Sequence, residues 1–100
     1  MKHAWLRHHG GERLLIFFTG WGMDPRPFEY LSGAGPDVLM LFDYRETDLP
    51  AEVDVALEQY ASCILFAWSL GVAVANLRCG QLRERFSARV AINEIGRAHV

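Results

Sequence analysis

A single serine, Ser69, directly follows the apolar run 63–68 and precedes a segment rich in small residues. In a parallel α/β sheet, a reactive serine often lies on a sharp turn between a strand and a helix, where the strained backbone pushes the hydroxyl out above the sheet. Neighbouring chain crowds the positions two before and two after such a serine, and here these are Ala67 and Gly71. The pattern therefore indicates a nucleophile, although A-x-S-x-G also occurs in ordinary strand–helix turns.

Two backbone N–H groups near Ser69 are candidates for binding the negative charge that forms on an attacked carbonyl oxygen. Leu70 would begin the helix after the serine, and the helix dipole favours negative charge at that end. The second donor should come from the loop after a neighbouring strand, and the stretch TGWG (19–22) occupies that place. Its glycines would let the chain turn so that the Trp21 N–H faces the site, in a crevice where the strand order changes direction.

Alternating strands and helices are predicted around these loops. Near-continuous apolar runs predict strands that are covered on both faces, as in a parallel sheet. A turn of the hairpin type is predicted over 9–12, where HGGE supplies two glycines. The strands are expected at 4–8, 13–19, 37–44, 63–68 and 88–93, and the helices at 24–31, 50–60 and 70–82. This order indicates an α/β fold with a mostly parallel sheet, flanking helices and right-handed crossovers.

Composition limits the classes of function. The chain has 100 residues, 51% of them hydrophobic, and a formal net charge of −2, as expected for one soluble globular domain. Nucleic-acid binding is not expected, because it would need a concentrated basic face. No apolar stretch approaches the roughly 20 residues that span a bilayer, and no secretory signal is visible at the amino terminus. We therefore expect a cytoplasmic protein without a membrane partner.

Other reactive residue types have plain structural interpretations. Cys63 and Cys79 show no metal-ligand spacing and are expected to be reduced, and neither a metal nor a cofactor is predicted. Asp43, at the end of a predicted strand, is expected to cap or pair locally. Three histidines near the amino terminus are expected to be exposed: His3, His8 and His9.

Three stretches together resemble a known family. FFTGWGMD (17–24), LFDYR (41–45) and FAWSLGVAVA (66–75) resemble the short pimeloyl-[acyl-carrier protein] methyl ester esterases of the BioG type, which are α/β-hydrolases of biotin synthesis. The resemblance runs from the amino terminus to about Asn93, and the combination is much more specific than the serine motif alone. It implies an incomplete α/β-hydrolase-type fold, with residues 1–93 as the amino-terminal part of one domain.

The resemblance also implies a reaction and a partner. Ser69 would attack the methyl ester of a pimeloyl chain carried on acyl carrier protein, and the Trp21 and Leu70 N–H groups would bind the oxyanion. The Trp21 ring would also line the substrate pocket. Acyl carrier protein is acidic, so a basic docking surface is expected, for which Arg26 and the arginines from Arg78 onward are available. The alternative for these arginines is a solvated surface.

The histidine and the acid that Ser69 needs are not evident. In α/β-hydrolases both follow the serine in the chain, but after Ser69 only Glu84, Glu94 and His99 have suitable side chains. His99 is rejected, because no further strand lies between it and the strand at 88–93 to carry the acid. The base and the acid are therefore expected to lie beyond the sequence in hand.

The last residues, EIGRAHV (94–100), have an unusual reverse translation. They can be encoded by a DNA sequence that looks like a common sequencing adapter. We therefore expect residues 94–100 to be a non-native tail and strand 88–93 to be left as an open edge. The 100-residue chain would then have little or no esterase activity and would be prone to aggregate.

Two other functions remain open on the sequence. The same fold and serine would suit a thioesterase or a general carboxylesterase, because the pocket and the lid decide the substrate. In a non-enzymatic α/β binding module, Ser69 would only cap the following helix.

Overall fold

The computed structural model describes residues 1–20, 23, 25, 35–46, 48–79, 84–92 and 98–99. Trp21, Arg26 and all of the predicted helix at 24–31 except Pro25 lie outside the described residues. In chain order the described elements are β1 (Lys2–Arg7), β2 (Arg13–Phe18), β3 (Asp37–Phe42), α1 (Ala51–Gln59), β4 (Ser62–Trp68), α2 (Leu70–Cys79), β5 (Ala88–Ile92) and β6 (Ala98–His99).

The described strands form one sheet in the order β1-β3-β2-β4-β5-β6. The strands β3, β2, β4 and β5 are parallel, whereas β1 and β6 pair antiparallel with the two ends of this group. The predicted α/β fold with a mostly parallel sheet and flanking helices is confirmed. Each parallel strand matches a predicted apolar run to within two residues, because strands with both faces covered carry such runs.

The turn at 9–12 does not close a hairpin, so this prediction is wrong. Gly10 has a positive φ of 77°, as the turn requires, but β1 pairs with β3 rather than with β2. Because β2 is already bonded along both edges, to β3 and to β4, it has no edge left for β1. The turn instead carries the chain past the amino end of β3.

The opposite edge of the sheet also differs from the expectation. Ala98 and His99 form the short strand β6, which pairs with Ile92 and Ala91 of β5. Along these two residues β5 is therefore not an open edge, and the sequence-based prediction is wrong there. Pairing of this kind reduces the row of free backbone groups that an edge strand offers to other chains.

Both helices pack on the same face of the sheet. Register partners in parallel strands point to the same side, so Ile16, Leu39 and Leu65 share this face. They are buried in one core cluster with residues of both helices, among them Val53, Ala56, Leu57, Val74 and Ala75. Neither α1 nor α2 is long and apolar enough to cross a bilayer.

The two cysteines belong to this core cluster. Cys63 and Cys79 are free and buried, as predicted for reduced thiols. Burial raises the pKa of both thiols, that of Cys79 to about 11, so both stay protonated at neutral pH. They are packing residues rather than nucleophiles.

The amino end of the sheet contains a buried carboxylate with several donors. Asp37, the first residue of β3, is 1% exposed. It accepts hydrogen bonds from the N–H groups of His9 (2.8 Å) and Gly10 (2.9 Å) and from the Tyr60 hydroxyl (2.5 Å). Burial alone would raise the pKa of Asp37, but the hydrogen bonds to its charged form outweigh burial and lower it. Sequence reasoning missed this group, which ties the turn at 9–12, β3 and the end of α1 together.

Candidate active site

Ser69 lies in the turn that joins β4 directly to α2. Its φ is +56°, a left-handed conformation that among the described non-glycine residues only Asp43 shares. This conformation costs an L-residue about 1–2 kcal/mol. Backbone hydrogen bonds hold the turn, since the Ser69 N–H donates to Ile92 O at 2.7 Å and the Val72 N–H donates to Ser69 O at 3.0 Å. The strained turn predicted from the motif is present, with Ser69 half-buried.

Gly71, two residues after the serine, lies where α2 touches the end of β2. A Cβ at this position would come within 2.5 Å of both Phe18 O and Thr19 O, which are backbone atoms that cannot swing away. Only glycine therefore lets the helix begin so close to the sheet. On the other side of the serine, Ala67 is 3% exposed and also small. The requirement for a small residue two positions after Ser69 is confirmed in physical terms, and Ala67 on the other side agrees with the pattern.

Gly20 brings the loop after β2 against the serine turn. A Cβ on Gly20 would lie 3.4 Å from Ser69 Cβ, 3.7 Å from Trp68 O and 3.6 Å from Met23 Sδ. These distances correspond to contact, so the backbone at Gly20 lies directly beside the serine. The described start of the loop that sequence reasoning paired with Ser69 is therefore adjacent to it.

Gly20 and Ser69 also lie where the strand order changes direction. They follow the neighbouring parallel strands β2 and β4. From β2 the chain continues to β3 on one side, whereas from β4 it continues to β5 on the other side. Loops that leave in opposite directions open a crevice at the carboxyl ends of the strands, where open α/β sheets bind ligands.

The structure describes the backbone of only one of the two predicted oxyanion donors. Leu70 is the first residue of α2, so its N–H is one of those that find no acceptor within the helix itself. Trp21 follows Gly20 in the chain but lies outside the described residues. The roles of both residues as donors stay predictions.

Thr19 and Tyr44 form a polar contact behind this loop. The Tyr44 hydroxyl donates to Thr19 O at 2.8 Å and also lies 3.1 Å from Leu41 O. Burial raises the pKa of Tyr44, so its hydroxyl keeps its proton at neutral pH. Sequence reasoning gave Tyr44 no role. The only signal was its place in DYR just after a strand, which says nothing about a partner 25 residues away.

A charged surface cavity of about 450 Å³ lies beside the carboxyl end of β3, lined by Met1, Lys2, Asp43, Arg45 and Glu46. Asp43 accepts hydrogen bonds from Arg45 Nε at 2.7 Å and Arg45 Nη2 at 2.6 Å, and it lies 3.3 Å from Lys2 Nζ. The hydrogen bonds from Arg45 are the main reason that the pKa of Asp43 is far below its usual value. The predicted local pairing of Asp43 is confirmed.

The three amino-terminal histidines lie far from Ser69. His3, His8 and His9 are exposed, as predicted, and belong to β1 or the turn after it. Since β3 and β2 lie between β1 and β4, three strand spacings, about 14 Å, separate them from the serine strand. His99 pairs with Ala91 of β5, so two strand spacings, about 10 Å, separate its backbone from the serine strand β4. Within the described ranges, no group of three or more His, Cys, Asp or Glu side chains could hold a metal ion.

Comparisons with known proteins agree with this architecture. The family model described as "Pimeloyl-ACP methyl esterase BioG" matches residues 1–99. The crystal structure of BioG from Haemophilus influenzae superimposes with a TM-score of 0.72 at 32% sequence identity, over 91% of this chain and 40% of that chain.

Two curated proteins are similar over part of the chain. Malonyl-[acyl-carrier protein] O-methyltransferase from Bacteroides fragilis is 37% identical over 62 residues, which are 62% of this chain and 12% of that protein. A Haemophilus influenzae protein named only as uncharacterized is 38% identical over 66 residues, 65% of this chain and 29% of that protein. The chain thus spans less than a third of these two relatives. Because the family model covers nearly its whole length, the chain belongs to the BioG family of pimeloyl-ACP methyl esterases.

Proposed function

We propose that this chain carries the nucleophile of a serine esterase that cleaves the methyl ester of pimeloyl-acyl carrier protein in biotin synthesis. The observation that carries the proposal is Ser69 itself, which is held in a left-handed conformation beside Gly20 at the switch in strand order. A strained residue at a crevice is hard to explain by packing, since glycine would fit the turn at a lower cost. Membership of the BioG family supplies the substrate class.

The reaction follows from the geometry of a serine turn. The Ser69 Oγ attacks the carbonyl carbon of the methyl ester while a base takes the hydroxyl proton. The N–H groups of Leu70 and Trp21 bind the negative oxygen of the tetrahedral intermediate. When the intermediate collapses, the methoxide leaves with a proton as methanol, and the pimeloyl chain stays on Ser69 as an ester. Water then attacks this ester and releases a free carboxylate, which restores the serine.

We further propose that the base and its orienting acid come from native polypeptide beyond Asn93, and that residues 94–100 are a non-native tail. Ser69 has none of the exposed amino-terminal histidines near it, as the strand order requires. We therefore expect little or no hydrolysis of this ester by the 100-residue chain alone. The complete enzyme, meaning the native polypeptide that continues past Asn93, is expected to be active.

The partner of this reaction would be acyl carrier protein. The name of the Bacteroides fragilis relative also refers to a carrier-protein acyl group and to methyl transfer, which is the step that makes a methyl ester. Of the arginines considered for docking, Arg78 lies 3.8 Å from Asp48 and Arg85 donates to Leu57 O at 3.0 Å. These internal contacts favour a structural role over docking for both. The free thiols of Cys63 and Cys79 agree with a cytoplasmic location, which we also propose.

The test is direct hydrolysis of pimeloyl-acyl carrier protein methyl ester by the complete enzyme. We expect release of one methanol per free carboxylate, and no release with Ser69→Ala. Faster cleavage of the thioester to the carrier than of the methyl ester would favour a thioesterase. Equal turnover of unrelated simple esters would favour a general carboxylesterase. Binding without any hydrolysis would favour a non-enzymatic module.

A further inference from the structure

Met23 places its thioether beside the serine turn. The position that a Cβ on Gly20 would take lies 3.6 Å from Met23 Sδ and 3.4 Å from Ser69 Cβ. No more than two contact distances therefore separate the Met23 sulfur from the Cβ of the nucleophile. Met23 is half-buried, so its side chain is partly open to solvent there. Within the described part of the chain, it is not among the apolar residues that pack against the core cluster.

The residues on the other side of this contact are apolar as well. Trp68 directly precedes the serine, and its side chain is 38% exposed. Because side chains alternate along a strand, Trp68 lies on the face opposite to Ala67 and the helices. Its register partner in β5, Ile92, lies on the same side and is half-buried. Apolar side chains thus continue from the serine turn along the carboxyl ends of β4 and β5.

The charged groups that the structure describes at this edge of the sheet lie further away. Asp43 and Arg45 follow β3, which is two strand spacings, about 10 Å, from the serine strand β4. A methylene chain gains free energy when it leaves water for apolar atoms. Against charged side chains the same chain would displace their water at a cost. The surroundings of Ser69 therefore suit an uncharged alkyl chain.

We propose that Met23 is a specificity-determining residue whose side chain contacts the alkyl chain of the ester that Ser69 attacks. An acyl chain that leaves the reacting carbonyl passes the side chains around the serine, and Met23 is partly open at this point. Its unbranched thioether adapts to the chain that it contacts. The result is a preference for long, unbranched and uncharged acyl chains, such as the methylene run of a pimeloyl ester. The inference rests on the proposed function, because it assumes that Ser69 attacks an ester.

Two variants serve as controls for Met23→Ala. Leu77→Ala also removes an apolar side chain, but Leu77 is 67% exposed and lies about 12 Å from Ser69 along α2. Met23→Leu keeps an apolar side chain of similar volume at the same position. A loss of chain-length preference that appears in Met23→Ala alone therefore belongs to the contact with the alkyl chain.

The experiment measures kcat/KM of the complete enzyme for carrier-free methyl esters of unbranched acids, from acetate to octanoate. We expect wild-type kcat/KM to rise about two- to fourfold for each added methylene group, as when a methylene group leaves water. Met23→Ala should lower the value for octanoate about tenfold and leave that for acetate within about twofold. Met23→Leu and Leu77→Ala should keep the wild-type dependence. An unchanged dependence in Met23→Ala, or the same flattening in Leu77→Ala, would overturn the inference.

A second readout separates this inference from the proposed function. Fluorophosphonates with alkyl chains of increasing length should modify wild-type Ser69 at increasing rates, and Met23→Ala should weaken this increase. If the wild-type enzyme fails to hydrolyse pimeloyl-acyl carrier protein methyl ester, the proposed substrate is wrong, and these rates alone then test the role of Met23. A reactive Ser69 whose modification rate is independent of chain length would overturn the role of Met23 and leave the nucleophile intact.

Discussion

At both ends of the sheet the backbone adopts a left-handed conformation, but different residue types occupy the position. At the amino end, the left-handed position in the turn is occupied by Gly10, for which that conformation carries little penalty. The buried charge of Asp37 has donors on both oxygens. At the carboxyl end, Ser69 after β4 and Asp43 after β3 adopt this conformation, and each has a Cβ and bears the penalty.

This difference separates a stabilising end from a functional end. Strain that a simple exchange to glycine would remove is expected to persist only where the side chain has a task. The amino end holds the turn, β3 and α1 together, and its groups are matched to one another. The carboxyl end brings together the switch in strand order, a strained serine and a close helix start. Exchanges at the amino end should therefore affect stability alone, whereas exchanges at the carboxyl end should also affect activity.

The largest expected effect is the loss of activity in Ser69→Ala. In the complete enzyme, kcat should fall by a factor on the order of 10⁶, as when a serine nucleophile is removed from a hydrolase. The matched control is Ser62→Ala, at the start of the same strand β4, where Ser62 Oγ lies 2.7 Å from Ser87 Oγ. The control should retain kcat and lose a little stability. A comparable loss of kcat in both variants would remove the contrast between the ends.

Gly71→Ala should damage both properties. The new Cβ would lie 2.5 Å from Phe18 O and Thr19 O, so α2 must move away from β2. We expect the free energy of unfolding to drop by about 1–3 kcal/mol or more, as for other overpacked sites, and kcat to fall because Ser69 moves with the helix. Gly11→Ala is the control, since nothing lies within 4 Å of a Cβ there, and it should change stability by less than about 0.5 kcal/mol. Urea denaturation and ester hydrolysis measure both effects.

Asp37→Asn tests whether the charge of Asp37 stabilises the amino end, through the pH dependence of the free energy of unfolding. The pKa of Asp37 is lower in the folded protein than its usual value of 3.8. Its charge therefore adds stability that is present above about pH 4 and is lost as the pH falls through the lower folded pKa. An amide would also direct its NH₂ towards the N–H of His9 or Gly10.

We expect Asp37→Asn to lower the free energy of unfolding at pH 7 by about 1–3 kcal/mol. The difference from wild type should shrink below pH 4, and kcat per folded molecule should stay unchanged. Denaturation curves at pH 7 and pH 3 measure the stability difference. Ester hydrolysis, divided by the concentration from active-site titration, measures kcat per folded molecule. A difference that stays constant with pH would show that the charge of Asp37 is not what stabilises this end.

The smallest expected effect is a gain of stability. Ser69→Gly removes the left-handed penalty and should raise the free energy of unfolding by about 0.5–1 kcal/mol, part of the gain being offset by the flexibility of glycine in the unfolded chain. Gly10→Ala, the opposite exchange at the amino end, should lower it by about 1 kcal/mol. Thermal denaturation of both variants decides this point. A stability loss in Ser69→Gly would mean that the turn is not strained.

The sequence was sufficient to predict the parallel strands and the surroundings of the serine. Both depend on local composition, since apolar runs mark β2, β3 and β4, and Ala67 and Gly71 flank Ser69 within a few residues. The position of β1 was not predictable in the same way. A GG turn favours a hairpin locally, but both edges of β2 are taken by parallel partners from later in the chain.

The polar contacts that define the two ends were also missed, for a common reason. Asp37 pairs with Tyr60 and Tyr44 pairs with Thr19, over separations of 23 and 25 residues. Such pairs depend on which strand ends lie side by side, and periodicity or local motifs do not report this. Asp43 was interpreted correctly because its main partner, Arg45, is only two residues away.

The central claim is that Ser69, at the functional end, is a nucleophile. The most direct test treats the complete enzyme with a fluorophosphonate and locates the adduct by mass spectrometry of its peptides. We predict one adduct on Ser69, absent in Ser69→Ala and formed at the wild-type rate in Ser62→Ala. An adduct that persists in Ser69→Ala, or hydrolysis of the methyl ester by an enzyme in which Ser69 is never modified, would contradict the claim.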